Sequence, residues 1–356
     1  MSAETYMLRC IDLAQRAKGH TAPNPMVGAV LVHSDRIIGE GWHHYYGADH
    51  AEINCLKNVS EGDKHLVPEA TMYVNLEPCA HYGITPPCAN RLAEESIKKV
   101  VIANKDPFEK VSGLGIEILK KGGVDVETGI LENEGLWTNR RFFCFHNQKR
   151  PYIILKWAQT NDGFIAPADR SRLQITSAES MQLSHKWRTE EGAIMVGAQT
   201  AQLDNPRLTA RLWPGKQPLR IVLDRKLELP HTHHVFDNAA ATWIINERQE
   251  ILEGNVHAIQ LKFDDTLLRQ LLHKLYETRI LSVIIEGGAS LLKSFIEASL
   301  WDEARVFTGS QALNDGVSAP DLINSNTAFD MQVGPDRLAV FVNRNSDYPY
   351  VNGMEL

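Results

Sequence analysis

Apolar and polar positions divide the chain into short, regularly punctuated segments. Tyr6, Cys10, Leu13, Ala14 and Ala17 recur at helical spacing, and Lys18-Gly19 supplies a basic last turn and a stop, so a first helix is expected there. Apolar runs at 27–32 and 37–42, separated by His33-Ser34-Asp35-Arg36, predict a hairpin. Further strands are expected at 71–75, 99–103 and 124–127, a helix at 113–121 stopped by Gly122-Gly123, and one longer closing helix at 131–146. Strands alternating with helices predict an α/β layered domain with helices on both faces of a sheet. Lys149-Arg150-Pro151 interrupts the pattern before a fresh apolar run at 152–156, which predicts two domains, 1–147 and 148–356.

The second half repeats the α/β rhythm. Thr160-Asn161-Asp162-Gly163 reads as a turn, and Ile175-Thr176-Ser177 as the cap of a helix reaching Arg188. Strands are expected at 193–197, 220–224, 242–246, 281–285, 306–307 and 338–342, a helix at 290–298, and a mobile segment between Asn314 and Asn326.

Composition narrows the classes of function. The 356 residues are 43% hydrophobic and 23% charged, ordinary values for a folded globular chain. A formal net charge of -7 argues against a nucleic-acid partner, which selects for a basic footprint. The N-terminal stretch lacks the apolar core of a signal peptide, no run is long enough to span a membrane, and the five cysteines form no regular framework. A cytoplasmic protein without a membrane partner is the expectation.

The densest chemistry lies in His50-Ala51-Glu52, Pro78-Cys79 and Pro87-Cys88. One His and two Cys make three zinc ligands, and a catalytic zinc keeps its fourth position for water, whereas a structural zinc is closed by four protein ligands. Glu52, two residues from His50, is suited to carry a proton from that water to a leaving group. Thr85-Pro86-Pro87-Cys88 reads as an N-cap and opening prolines that place Cys88 in the first turn of a helix, where the thiolate is favoured. His50 is expected in the entry turn of another helix, with Glu52 inside it.

This pattern resembles the cytidine deaminase-like superfamily, whose signature is a His-x-Glu followed by Pro-Cys and a second Cys. Here eight residues separate the cysteines instead of the usual two. That wider insert, with Asn75-Leu76-Glu77-Pro78 before it and Ala22-Pro23-Asn24-Pro25-Met26-Val27-Gly28 upstream, resembles the bifunctional riboflavin-biosynthesis family, in which a pyrimidine deaminase precedes a pyrimidine reductase. Asp204-Asn205-Pro206-Arg207-Leu208-Thr209-Ala210-Arg211 resembles the reductase stretch of the same family.

The resemblance implies an N-terminal cytidine deaminase-like three-layer domain and a C-terminal dihydrofolate reductase-like domain. It implies one zinc at His50, Cys79 and Cys88, Glu52 as proton carrier, and Asn24 as a contact to the pyrimidine ring. His81 and Thr85 line the insert and could also meet substrate. In the reductase it implies NADPH against Ala158, Gln174, Thr200, Asp204, Arg225 and Gly288, and a phosphorylated pyrimidine against Arg172, Arg188, Leu208, Arg211 and Glu286. Arg188 and Arg211 suit phosphate because the guanidinium fork matches its oxygens. The Glu286-Gly287-Gly288 junction between strand and helix suits close approach of a phosphate, although no Gly-x-Gly-x-x-Gly fingerprint follows any expected strand.

One departure stands out. The family carries an aromatic residue just before Ile-Thr-Ser and a Ser two places earlier, where this chain has Gln174 and Arg172, so contacts there differ. Two other classes compete with this reading: a nucleic-acid base deaminase with an accessory domain, and a binding module whose zinc is structural. The acidic balance and the wide Cys-to-Cys insert oppose the first, and a fourth protein ligand would mark the second. A homo-oligomer is compatible with the resemblance.

Overall fold

The computed structural model describes residues 2–80, 86–109 and 111–354. The chain forms two compact units, Met1–Gln148 and Lys149–Leu356.

In the first unit, strands β1 (Gly28–His33), β2 (Arg36–Trp42), β3 (Thr71–Leu76), β4 (Lys99–Asn104) and β5 (Asp125–Thr128) form a sheet in the order β2-β1-β3-β4-β5. β1 is antiparallel to β2 and β3, and β3, β4 and β5 are parallel. Helices α1 (Ala3–Gln15), α2 (Ala51–Lys57), α3 (Cys88–Glu94), α4 (Leu114–Lys121), α5 (Glu132–Thr138) and α6 (Arg140–Gln148) complete the unit. Ala51, Cys55, Ala89, Leu92, Ile116 and Leu119 of α2, α3 and α4 share one core with Ala29, Leu31, Met72 and Val74 of the sheet. Small residues let the helices lie directly on the strands. A Cβ on Gly41 of β2 would sit 2.3 Å from the Cys55 nitrogen of α2, and one on Gly28 of β1 would sit 2.1 Å from the Cys10 carbonyl of α1.

Two expectations change here. The closing segment is two helices instead of one, broken at Asn139, whose backbone leaves the helical region (φ -103°, ψ 20°) while its side chain is spent on Met26. Pro86 and Pro87 precede α3, with Pro87 at the N-cap and Cys88 as the first helical residue.

The second unit contains β6 (Tyr152–Gln159), β7 (Phe164–Ala166), α7 (Ala178–Glu190), β8 (Ala193–Gly197), α8 (Ala198–Asp204), β9 (Leu219–Leu223), β10 (Thr242–Asn246), β11 (Ile251–Glu253), β12 (Val256–Gln260), α9 (Leu267–Glu277), β13 (Ser282–Glu286), α10 (Ala289–Glu297), β14 (Glu303–Thr308), β15 (Val317–Ser318), β16 (Ser325–Val333) and β17 (Asp336–Asn343). Ten strands form one sheet in the order β11-β12-β10-β9-β8-β13-β6-β14-β17-β16. From β12 to β14 all neighbours are parallel, so their carboxyl ends share one edge. Such strands are covered on both faces, and they read as continuous apolar runs such as Ile194-Met195-Val196 and Val283-Ile284-Ile285, all buried. The segment expected to be mobile carries the β15 ladder with β7 and the start of β16. Helices α8 and α9 and strands β11, β12 and β16 are additions to the sequence reading.

Candidate functional site

In the first unit the strand ends and helix starts converge. His50 is the N-cap of α2 with extended backbone (φ -73°, ψ 164°), and Glu52 is the second residue of the helix, buried. Asn54 ties α2 to the sheet by donating to the Trp42 carbonyl at 2.8 Å and the Asp49 carbonyl at 3.2 Å. Cys79 follows β3, and Cys88 opens α3 with its backbone N–H donating to the Cys79 sulfur at 3.3 Å. The Nδ1 of His50 lies 3.4 Å from the Cys79 sulfur and 3.3 Å from the Cys88 sulfur. All three ligand atoms fall within 4.8 Å of one another, and no other such group of His, Cys, Asp or Glu occurs among the described residues. Two sulfurs and one imidazole nitrogen are a donor set that suits zinc, with one tetrahedral position left over.

Burial and the contact between the two sulfurs set the electrostatics of this centre. Hydrogen bonding from Cys88 pulls the Cys79 thiol down to about 4, with burial opposing and His50 assisting, while the same contact and burial push the Cys88 thiol well up, opposite to the thiolate expected at that helix start. Burial pushes the Glu52 carboxyl up to about 7 against the pull of His50, and Asp106, buried near Glu77 and Cys79, is pushed up to about 7. A cation held by the cluster would favour the ionised form of each of them.

Asn24 reaches this centre through a residue that sequence reasoning passed over. The buried His43 ring meets the Asp49 carbonyl through Nδ1 at 3.1 Å, so Nδ1 carries the proton and Nε2 accepts from the Asn24 amide at 3.2 Å. Burial lowers the His43 pKa, which keeps the ring neutral, and it packs edge-on against His50 with centroids 5.3 Å apart. The Asn24 loop is clamped from behind: Asn139 accepts from the Met26 N–H and donates to the Met26 carbonyl, both at 2.8 Å, and Asn75 donates to the same carbonyl at 3.1 Å while accepting from Gly28 at 2.8 Å. Glu77 anchors the Cys79 approach by accepting N–H groups of Asp106, Gly113 and Ile116 at 3.2, 3.0 and 3.2 Å. A buried Asn in an apolar strand and an acid next to Pro-Cys were the available sequence signals. His81 and Thr85 lie outside the described residues.

In the second unit the carboxyl edge of the parallel sheet gathers a different set. The register of β6 with β13 puts Lys156 beside Glu286, with Nζ 3.8 Å from its carboxylate. Arg188 on α7 donates to Glu286 at 2.8 Å and to the Thr209 carbonyl at 3.0 Å, while its buried Nε has no hydrogen-bond partner among the described residues. Burial pushes the Glu286 carboxyl up, but Arg188 and Lys156 outweigh it and hold it at about 2. His185, one turn before Arg188, accepts the Arg211 N–H at 2.7 Å and the Leu212 N–H at 3.3 Å through Nδ1. Burial, Arg188 and Arg211 press its pKa down to about 4, so it acts as a neutral acceptor. Arg211 is itself lowered by burial and by Arg188 and Arg207, which describes surplus positive charge.

The structure therefore brings Arg188, Arg211 and Glu286 together and adds Lys156 and His185 to them. The Leu208 side chain is buried in the core that includes Trp187 and Val222, and its backbone sits at φ 54°. Thr200 faces the glycine turn, where a Cβ on Gly288 would meet its hydroxyl at 3.2 Å. That close cradle, with Gly287 and Gly288 both at positive φ before α10, fits a phosphate. Asp204 ends α8, its pKa raised by burial with Arg172 nearby opposing. Gln174 is exposed and donates to Thr176, Ala158 is half-buried near the end of β6, and Arg225 follows β9, paired to Glu247 at 2.8 Å. No described helix is long and apolar enough to cross a membrane.

Comparisons with known proteins agree with both halves. Residues 1–104 match the cytidine and deoxycytidylate deaminase zinc-binding region, and residues 151–329 match the RibD C-terminal domain. The riboflavin biosynthesis protein RibD of Aquifex aeolicus is 41% identical over 326 residues, 90% of each chain, and that of Bacillus amyloliquefaciens 38% over 354 residues, 94% of each. Among solved structures, a diaminohydroxyphosphoribosylaminopyrimidine deaminase/5-amino-6-(5-phosphoribosylamino)uracil reductase from Thermotoga maritima superposes with a TM-score of 0.86 at 33% identity, covering 96% of this chain and 98% of that one. RibD of Acinetobacter baumannii gives 0.86 at 32%, covering 95% and 98%. A His/Cys/Cys centre in an N-terminal deaminase-like unit, joined to a reductase-like unit and matched along nearly the whole length, places this chain in the RibD family of riboflavin biosynthesis proteins.

Proposed function

We propose that the chain carries out two consecutive reactions of riboflavin synthesis: hydrolytic deamination of a diaminohydroxyphosphoribosylaminopyrimidine in residues 1–148, then reduction of the ribosyl chain of 5-amino-6-(5-phosphoribosylamino)uracil to ribityl in residues 149–356, with NADPH. The observation that carries it is the three-ligand cluster of His50, Cys79 and Cys88 with the buried Glu52 carboxyl beside it. A zinc ion held there supplies Lewis acidity that makes water nucleophilic near neutral pH. Glu52, near 7, takes a proton as the water oxygen bonds to the amino-bearing ring carbon, and returns it to the nitrogen as the carbon–nitrogen bond breaks and ammonia leaves. Asn24, turned by His43, offers its amide to the ring.

In the second unit a reduced nucleotide supplies hydride to the ribosyl carbon. Gly287, Gly288 and Thr200 cradle its phosphate, and Arg225 takes the 2′-phosphate of its adenosine ribose. The guanidinium groups of Arg188 and Arg211 take the anionic substrate, Arg211 being the one whose pKa is lowered by burial and by Arg188 and Arg207. Lys156, its pKa lowered by burial, is the donor placed to supply the proton that balances the hydride.

Purified zinc-loaded protein given the diamino-pyrimidine and NADPH, with ammonia and NADPH followed separately, tests both halves. Ammonia release that needs no nucleotide, followed by nucleotide oxidation, is expected. Absence of ammonia release removes the deaminase assignment, and ammonia release without oxidation removes the reductase one.

A further inference from the structure

Three strand ends of the parallel sheet meet away from the Lys156–Glu286 cluster. β9 is followed by Asp224, whose carboxylate accepts the Glu228 and Leu229 N–H groups at 3.0 Å each, and then by Arg225. β10 is followed by Glu247, fixed because Asn246 accepts the Arg248 and Gln249 N–H groups at 2.8 Å each and because the Glu247 N–H donates to the Arg225 carbonyl at 3.0 Å. β12 is followed by Leu261, Lys262 and Phe263. An open groove of about 580 Å³ lies here, lined by Glu247, Leu261, Lys262, Phe263 and Asp264 among others. Arg225 reaches two of these lining residues, with Nε on the Glu247 carboxylate at 2.8 Å and its guanidinium 5.9 Å from the Phe263 ring centroid. An aromatic wall, a half-exposed cation and an acceptor carboxylate on rigid turns suit an adenosine.

From this geometry we infer that Glu247 is a specificity-determining residue that limits the preference for a 2′-phosphorylated nucleotide. The inference rests on the nucleotide reading given above and extends it. Arg225 and Glu247 act with opposite sign on the two forms of the cofactor. A 2′-phosphate is attracted by Arg225, but it meets the Glu247 carboxylate as a like charge and has to share the guanidinium with it. A 2′-hydroxyl finds in Glu247 an acceptor and gains little from Arg225. The ion pair therefore leaves NADPH favoured by less than a lone arginine would give.

The test is equilibrium binding to the full-length chain by titration calorimetry, using adenosine 2′,5′-bisphosphate and adenosine 5′-monophosphate as probes, which needs no catalysis. Wild type is expected to prefer the bisphosphate. Arg225→Gln is expected to reduce that preference about tenfold or more, the worth of one hydrogen bond to a charged group. Glu247→Gln, which keeps size and polarity, is expected to raise the preference about two- to fivefold, the worth of one exposed charge pair. A preference that is absent in wild type and unmoved by Arg225→Gln overturns the nucleotide reading of this edge. A preference that depends on Arg225 but stays constant or falls in Glu247→Gln overturns the role of Glu247 alone.

Discussion

The two units solve opposite electrostatic problems, and their buried groups report which. Around His50, Cys79 and Cys88, the neighbouring carboxyls of Glu52 and Asp106 are pushed up and two sulfurs crowd one ring. In the 149–356 unit, Arg188, Arg211, Lys156 and neutral His185 surround the single carboxylate of Glu286, held at about 2. In the first unit burial dominates the carboxyl shifts, whereas in the second Arg188 and Lys156 outweigh burial. The direction of a buried carboxyl's shift thus reports whether burial or a neighbouring cation dominates its surroundings.

The sharpest way to break this comparison is to disable one unit and observe the other. Glu52→Gln preserves shape, so deamination is expected to fall about 10²- to 10⁴-fold, the usual contribution of a general acid–base. Zinc content by metal analysis and reduction of supplied deaminated product should both persist. A reductase that fails in parallel contradicts two independent sites.

Glu286→Gln attacks the second unit next. The folded pKa of about 2 lies below the ordinary carboxyl value, so the stability this group contributes is present above that ordinary value and lost as pH falls through about 2. At neutral pH the variant is expected to lose roughly 3 kcal/mol, because Arg188 and Lys156 remain buried without their anion. Urea unfolding of the 149–356 unit, followed from pH 7 down to pH 2, should show the wild-type decline and a flatter profile in the variant.

Asp106 supplies the opposite sign. Its pKa of about 7 lies above the ordinary value, so its contribution is complete below pH 4 and is lost as pH rises through about 7. Asp106→Asn can keep the acceptor for the Phe108 N–H, now at 2.7 Å, without a charge. At pH 8 it should stabilise the first unit by about 1–2 kcal/mol, less than the full shift implies because a bound cation offsets part of the field. Destabilisation at pH 8 would show that the carboxylate has a cationic partner.

The same contrast explains what the sequence made legible. The metal centre could be read in advance because its ligands lie within one stretch from His50 to Cys88, at spacings that few other chemistries require. The second site is assembled by strand register: Lys156 and Glu286 are far apart in sequence and become neighbours only because β13 pairs with β6. A lysine inside an apolar strand was the visible trace. His185 left no trace, since a His on a helix facing Arg211 looks like any other until the loop folds over it. Asn139 misled for a related reason: apolar periodicity continues through it, and its departure from helical backbone coincides with a long-range clamp on Met26 that local sequence does not reveal.

Helix caps give the smallest and most direct test. In the second unit α7, which carries His185 and Arg188, starts at Ser177, whose hydroxyl accepts the Ser180 N–H at 3.3 Å. In the first unit α2 and α3 start at His50 and Pro87, and neither makes a side-chain cap. The position where Ser, Thr, Asp or Asn would stabilise α2 is occupied by a metal ligand, so metal binding takes over what a cap would contribute. Ser177→Ala should therefore lower the stability of the 149–356 unit by about 1 kcal/mol under any metal condition. His50→Ser should lose zinc, yet with chelator present it should match or exceed metal-free wild type by up to about 1 kcal/mol, because the new hydroxyl can accept an N–H of the first turn. Denaturant unfolding in chelator measures both. A His50→Ser protein clearly weaker than metal-free wild type would mean that His50 holds the entry of α2 together without the metal.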